Sequence, residues 1–315
     1  MLISLIIPVY NVENYLGKCL KSCICQDLPI CDYEIIVVND GSTDGSLYIA
    51  EQFAEIQDNI RIISQENKGL SGARNTGLDA ACGKYVWFID SDDWIAAECL
   101  KRIVSEMERE ELDALHLGSL VAYDNKACDK ERIPSFGLSK GLDVLGGLKL
   151  WHQAQLTVFR RSFLLDNKLR FYPGIYHEDM EFIPRAYYFA CRCSAVSSVC
   201  YYYYQRPIGA ITSEYRPKNI SDAIIVAGRL KDFGESQNMD TKDAELWNNL
   251  LSVNINNLFR MAAKISSKYP EIVSYIVEAS HLYRPMMKSG KIKYRLSGIL
   301  ISISPKMYLK LISII

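Results

Sequence analysis

The sequence predicts an α/β protein, with a mostly parallel central sheet flanked by helices and a helical C-terminal extension. Three observations carry this. Short, unbroken apolar runs stop abruptly at turn residues, as strands buried on both faces do. Segments with apolar residues at helical spacing separate those runs. From Ile220 onward the pattern is helical alone.

The elements follow in order. Leu2 to Ile7 is a buried strand ending at Pro8, and residues 13 to 25 carry Leu16, Cys19, Leu20 and Cys23 at helical spacing. Tyr33 to Val38 is a second strand, stopped by Asn39-Asp40-Gly41. Residues 44 to 55 predict a helix with Asp44 as its N-cap. Ile60 to Ile63 is a third strand, and Ser71 to Ala81 a helix ended by Gly83. Tyr85 to Ile89 is a fourth strand, followed by Asp90-Ser91-Asp92-Asp93. A helix is expected from residue 94 to about 111, a strand from Leu115 to Tyr123, and an exposed insertion over 124 to 150. Residues 155 to 200 resume mixed structure, and helices are expected at 220 to 233, 242 to 265 and 270 to 287. The alternation of strand and helix argues for a parallel sheet, and such sheets bind ligands beyond the carboxyl ends of their strands.

The 315 residues suit one large α/β domain with an appendage, or two modest domains. A formal charge of −1 supplies no global field for nucleic acid, so no nucleic-acid partner is expected. The ten cysteines are scattered without paired CxxC spacing, which argues against zinc and for reduced thiols in the cytoplasm. Met1 to Tyr10 is not expected to act as a secretory leader, and no apolar run is long enough to span a bilayer.

Four clusters stand at strand ends or helix starts. Asp90, Asp92 and Asp93 crowd the end of a buried strand, where their mutual repulsion calls for a cation. No counter-charge is apparent in the sequence. Magnesium or manganese, held by one or two carboxylates plus phosphates, fits such a group; a helix N-cap is the alternative. Asn39 to Asp44 follows another strand, where Asp40 can accept from a base or ribose or simply belong to a solvated turn. Asn67-Lys68-Gly69-Leu70-Ser71-Gly72-Ala73-Arg74-Asn75 puts glycines and basic groups at a helix start, a place that favours anions. It lacks the spacing of a P-loop. His177-Glu178-Asp179 opens a helix with acidic charge, which suits the dipole and also suits a general base.

Taken in order, Ile6 to Asn11, Val37 to Asp44, Asn67 to Asn75 and Phe88 to Asp93 resemble the motifs of family 2 glycosyltransferases of the GT-A fold. The resemblance is dense over residues 1 to 120 and sparser to about 215. It implies a Rossmann-like catalytic domain over 1–215, with a nucleotide-sugar half (1–120) and an acceptor and base half (121–215), then a helical region over 216–315. Pro8, Val9, Tyr10, Asp40 and Arg74 would meet the nucleobase, usually uracil. Asn67, Lys68, Gly69 and Ser91 would join the nucleotide-sugar site. Asp90 and Asp92 match the family's Asp-x-Asp pair, which meets ribose and a metal-bound diphosphate, and Asp93 would share the metal. Asp179 matches the catalytic base, and family members invert the anomeric centre. Arg206, after the Tyr201 to Tyr204 run, is either a diphosphate contact or a flanking surface arginine.

The resemblance thus implies a metal-dependent (Mn2+ or Mg2+) hexosyltransferase using a UDP-sugar and a saccharide or lipid-linked saccharide acceptor. The expected setting is bacterial surface polysaccharide assembly: capsule, O-antigen or exopolysaccharide. A sugar-nucleotide pyrophosphorylase and a non-catalytic nucleotide-sugar-binding or scaffold protein of the same fold are the alternatives. The first would want a Gly-rich basic loop after the first strand, where Pro8-Val9-Tyr10-Asn11 stands; the second would have lost its acidic motifs. After Glu278 the chain has no acidic residue, while Arg284, Lys288, Lys291, Lys293, Arg295, Lys306 and Lys310 alternate with apolar residues. This tail reads as an element for an anionic membrane surface, at the inner face of the plasma membrane, or as a helix packed on the domain.

Overall fold

The computed structural model describes residues 1–124, 131–146, 152–206 and 215–313. Strand and helix alternate through the first part of the chain: β1 (Ile3–Val9), α1 (Glu13–Ile24), β2 (Tyr33–Asn39), α2 (Ser46–Ala54), β3 (Ile60–Ser64), α3 (Gly69–Ala80) and β4 (Tyr85–Phe88). The short strand β5 (Trp94–Ile95) is followed by α4 (Leu100–Arg109), β6 (Ala114–Ala122), β7 (Glu131–Arg132) and α5 (Gly141–Gly146). Next come β8 (Thr157–Arg160), α6 (Arg161–Asp166), α7 (Glu178–Phe189) and β9 (Cys193–Tyr204). Helices complete the chain: α8 (Pro217–Ser236), α9 (Thr241–Ile265), α10 (Ile272–Glu278), α11 (Arg284–Met287), α12 (Ile292–Ile303) and α13 (Pro305–Ile312).

The strands form one sheet in the order β3-β2-β1-β4-β8-β6-β9-β5, with β7 also on β6. β1 to β4 are mutually parallel where they pair, and β6 is parallel to β9. β8 runs antiparallel between β4 and β6, and β5 runs antiparallel to β9. The predicted mostly parallel sheet is therefore present, and β5, β7 and β8 make it mixed. β1 and β2 are buried at every position, which is why they read as continuous apolar runs rather than alternating ones.

The chain divides into two compact units. The first holds 1–141, 150–174 and 189–207, and the second holds 142–149, 175–188 and 208–315, each as far as described. In the first unit Leu5, Ile7, Val37 and Trp87 of the sheet pack with Leu16 and Leu20 of α1 and Ile103 and Met107 of α4. On the other face α3 lies close to β1: a Cβ on Gly77 would stand 2.3 Å from Ile6 Cγ2. In the second unit Ile255, Phe259 and Ala262 of α9 pack with Ile276, Ile301 and Tyr308.

Several expectations need correction. Asp44 is not the N-cap of α2; Gly45 holds that position. Asp44 instead joins the starts of α1 and α2, accepting from Glu13 N and Ser46 N, each at 3.0 Å. No helix starts at residue 94. Trp94 and Ile95 pair with Tyr202 and Tyr201, and α4 begins only at Leu100. Its first amides are capped from a distance by Gln26 and Asp27 side chains. The N-cap alternative for Asp90 to Asp93 thus fails. Of the expected exposed insertion, residues 125–130 and 147–150 lie outside the described residues; within the rest, Leu142, Val144 and Leu145 are buried.

Candidate active site

β4 ends at Phe88, and Asp93 N closes a turn onto Asp90 O at 3.0 Å. This turn points the three carboxylates in different directions. Asp90 and Asp92 stay partly open, with side chains 22% and 19% exposed, while Asp93 is 1% exposed. Each has its own partner. Arg74 Nη2 lies 2.6 Å from Asp90 Oδ1, and Arg206 Nε lies 2.6 Å from Asp92 Oδ2. Asp93 Oδ2 accepts from the Tyr201 hydroxyl at 2.6 Å, and its Oδ1 from Tyr204 N at 2.7 Å. The Tyr201 oxygen in turn accepts from Asp90 N at 3.2 Å. The expected lack of counter-charge is therefore wrong, because two arginines from distant parts of the chain supply it.

Burial pushes the Asp92 carboxyl above the usual carboxylate value; the neighbouring Asp90 charge adds to this and Arg206 opposes it. Burial raises Asp93 further, helped by Asp92 and Asp90 and opposed by the Tyr201 and Tyr204 donors. A cation near Asp90 and Asp92 would relieve this repulsion.

Arg74 is 2% exposed and its guanidinium stacks over Phe171, 5.1 Å from the ring centre. Its guanidinium is thereby engaged with the acidic turn. Arg206 lies over the Tyr15 ring at 5.2 Å and is no simple surface arginine. Pro207 lies outside the described residues.

The β2 end forms the second part of the site. Asp40 is buried, and its Oδ1 accepts from Gln65 Nε2 (2.6 Å) and Lys68 N (2.8 Å). Gly41 and Gly69 both have φ of +74°, a conformation in which a side chain would be strained. Asn67 and Lys68 are exposed at the start of α3, and Asn67 Oδ1 accepts from Gly69 N at 3.2 Å. Ser91 is buried. Pro8 and Val9 are buried in β1, while Tyr10 is 51% exposed. Sequence reading missed Gln65, Tyr15, Phe171 and the hydroxyl of Tyr201. Only Tyr201 carried a signal, as one of a run of four tyrosines.

In the second unit, Glu178 and Asp179 open α7, both half-buried. Asp179 Oδ1 accepts from Met180 N at 2.7 Å. His177, just before the helix, holds a φ of +63°, uncommon for a residue with a side chain. Glu181, also missed, is fully buried between Arg185 (2.6 Å) and Arg229 (3.1 Å) and ties α7 to α8.

Magnesium and manganese use one or two carboxylates and complete their shells with water and phosphate oxygens. Asp90 and Asp92 fit that need. Asp93, with both oxygens engaged inward, fits a role beneath the turn. Among the described residues no group of three or more metal-ligating side chains converges, so a donor's phosphates would have to supply further ligands.

The mixed sheet, with its acidic turn beyond β4, has the GT-A fold. Residues 4–168, more than half of the chain, match Glycosyl transferase family 2, and the chain belongs to that family. It is 38% identical over 212 residues to the poly(ribitol-phosphate) beta-glucosyltransferase of Bacillus spizizenii, covering 64% of this chain and 32% of that one. Its fold matches Staphylococcus aureus TarS 1–349 in complex with UDP-GlcNAc (TM-score 0.80, 22% identity, 99% of this chain and 90% of that). It also matches the mannosyltransferase PcManGT of Pyrobaculum calidifontis in complex with GDP-Man and Mn2+ (TM-score 0.56, 15% identity, 99% and 86%). The alignments span between 16% and 64% of the length of the first curated relatives.

Proposed function

We propose that this chain is a metal-dependent, inverting glycosyltransferase that moves a hexose from a UDP-sugar to an acceptor hydroxyl. One observation carries the reading: two partly open carboxylates at the end of β4, each faced by an arginine. Alternating anions and cations at a strand end suit a diphosphate and its divalent ion.

The residues divide the work. Asp40 accepts an N–H of the uracil ring, and the exposed Tyr10 offers an aromatic face to the base. Asp90 and Asp92 would hold Mn2+ or Mg2+, which when bound offsets the charge that develops on the diphosphate as the glycosidic bond breaks. Arg206, paired with Asp92, would exchange that carboxylate for a phosphate oxygen, since a guanidinium fork fits either anion. Arg74 holds Asp90 in its orientation. Asp179 takes the proton of the attacking hydroxyl, so one carboxylate suffices where a hydrolase needs an acid and a base. Attack opposite the leaving group turns an α-linked donor into a β-linked product.

The UDP-GlcNAc complex of TarS supports the uridine assignment, and the Mn2+ of the mannosyltransferase supports the ion. The poly(ribitol-phosphate) substrate of the Bacillus relative supports an acceptor in surface polysaccharide assembly, free or lipid-linked, at the cytoplasmic side. Calorimetry with UDP and GDP in the presence of manganese tests the donor class. UDP should bind more tightly; clearly tighter GDP refutes the assignment.

A further inference from the structure

We propose that α12, continued by α13, is an interfacial docking face that lays the second unit on an anionic lipid surface. The observation is that α12 is apolar on two opposite faces. One face is spent inside the protein. Tyr294, Gly298 and Ile301 are buried, and a Cβ on Gly298 would stand 3.0 Å from Met286 Cβ, so α12 is pressed against α11. The other face carries Ile292, Leu296, Ile299, Leu300 and Ile303, which are 41% to 71% exposed.

At about 100° per residue, these five side chains fall within about 100° of the helix circumference, opposite the buried face. Lys293 and Arg295, both exposed, flank the stripe on its two sides. Helix α13 repeats the pattern on a smaller scale. Met307 and Leu311, one turn apart, are 70% and 47% exposed, and Lys306 and Lys310 stand exposed beside them. Eight of the sixteen large apolar side chains that are exposed among the described residues fall between Met287 and Leu311, so the exposure is concentrated rather than scattered.

The charge decides the occupant. From Ala279 to the last residue of the sequence there are seven Lys and Arg residues and no Asp or Glu. A second copy meeting this face by two-fold symmetry would bring like charges together along the rim. An anionic bilayer surface matches both parts: the apolar stripe enters the acyl boundary while the basic side chains reach the headgroups. No helix among the described residues is long and apolar enough to cross a membrane, so the helix lies on the surface. This placement is independent of the catalytic assignment, because it concerns side chains that take no part in the reaction.

Vesicle flotation tests it, with phosphatidylcholine alone or mixed with phosphatidylglycerol and with no nucleotide sugar present. The full chain should float with the mixed vesicles, and added salt should weaken binding. The double variant Leu296→Glu, Ile299→Glu alters only exposed positions; its circular dichroism should match the parent, and its bound fraction should drop about tenfold or more. The double variant Lys293→Gln, Arg295→Gln should bind the mixed vesicles several-fold less well. Absence of binding to mixed vesicles, or unchanged binding by the glutamate variant, overturns the proposal. So does a dimer in vesicle-free solution that the glutamate variant abolishes, which would assign the stripe to a second copy.

Discussion

Tyr201→Phe removes one oxygen atom from beneath the acidic turn. That oxygen donates to Asp93 at 2.6 Å and accepts from Asp90 N at 3.2 Å, and Tyr201 is fully buried. Leaving a buried acceptor unsatisfied costs about 1–3 kcal/mol, and an orphaned backbone N–H adds about 1 kcal/mol. The variant should therefore lose roughly 2–4 kcal/mol of stability, with no large cavity to add to it. Urea unfolding of the parent, Tyr201→Phe, Asp93→Asn and the double variant gives the coupling between the two side chains. It should fall at about 1–3 kcal/mol, since the groups touch directly. The same loosening should weaken UDP binding, because Asp90 and Asp92 belong to the turn that Tyr201 holds. A Tyr201→Phe protein within about 0.5 kcal/mol of the parent, or additive single variants, would refute the reasoning.

Three further outcomes are expected. Excess EDTA should abolish turnover, and Asp92→Ala should lose donor binding or turnover while staying folded; full activity in EDTA removes the metal from the mechanism. Asp179→Asn should bind donor nearly normally yet lose about a hundredfold to ten-thousandfold in kcat. If Glu178→Gln is instead the inactive variant, the base moves to Glu178. Acid should weaken the fold: burial pushes His116 down to about 3 and His152 down to about 4 from an ordinary 6.5, so both stay neutral in the native chain. The unfolded chain then binds the extra protons, and stability present above 6.5 drains away as pH falls toward 3. His116→Gln should flatten that slope between about pH 7 and about pH 5 in urea unfolding, and an unchanged slope would count against the burial argument.

The buried strands were legible because burial on both faces leaves a local signature: Ile3 to Val9 and Tyr33 to Asn39 are apolar almost throughout. Helices with a single apolar stripe were legible for the same reason. Trp94 was misread because an edge strand of two residues carries no period of its own, and its pairing with Tyr202 depends on a strand about a hundred residues later. The tail was legible as basic and apolar. Which of its apolar residues are covered was not, since that requires α11 and α9 to be in place.

By itself, the sequence determined the parallel α/β layout and which carboxylates stand at strand ends, because strand burial, turn residues and spacing are local properties. Tertiary structure alone decided how those carboxylates are balanced. Arg74 reaches Asp90 from α3, Arg206 reaches Asp92 from beyond β9, and Tyr201 turns Asp93 inward. These pairings span 16 to 114 residues of chain, and charge compensation acts through distance in space, which no local pattern encodes.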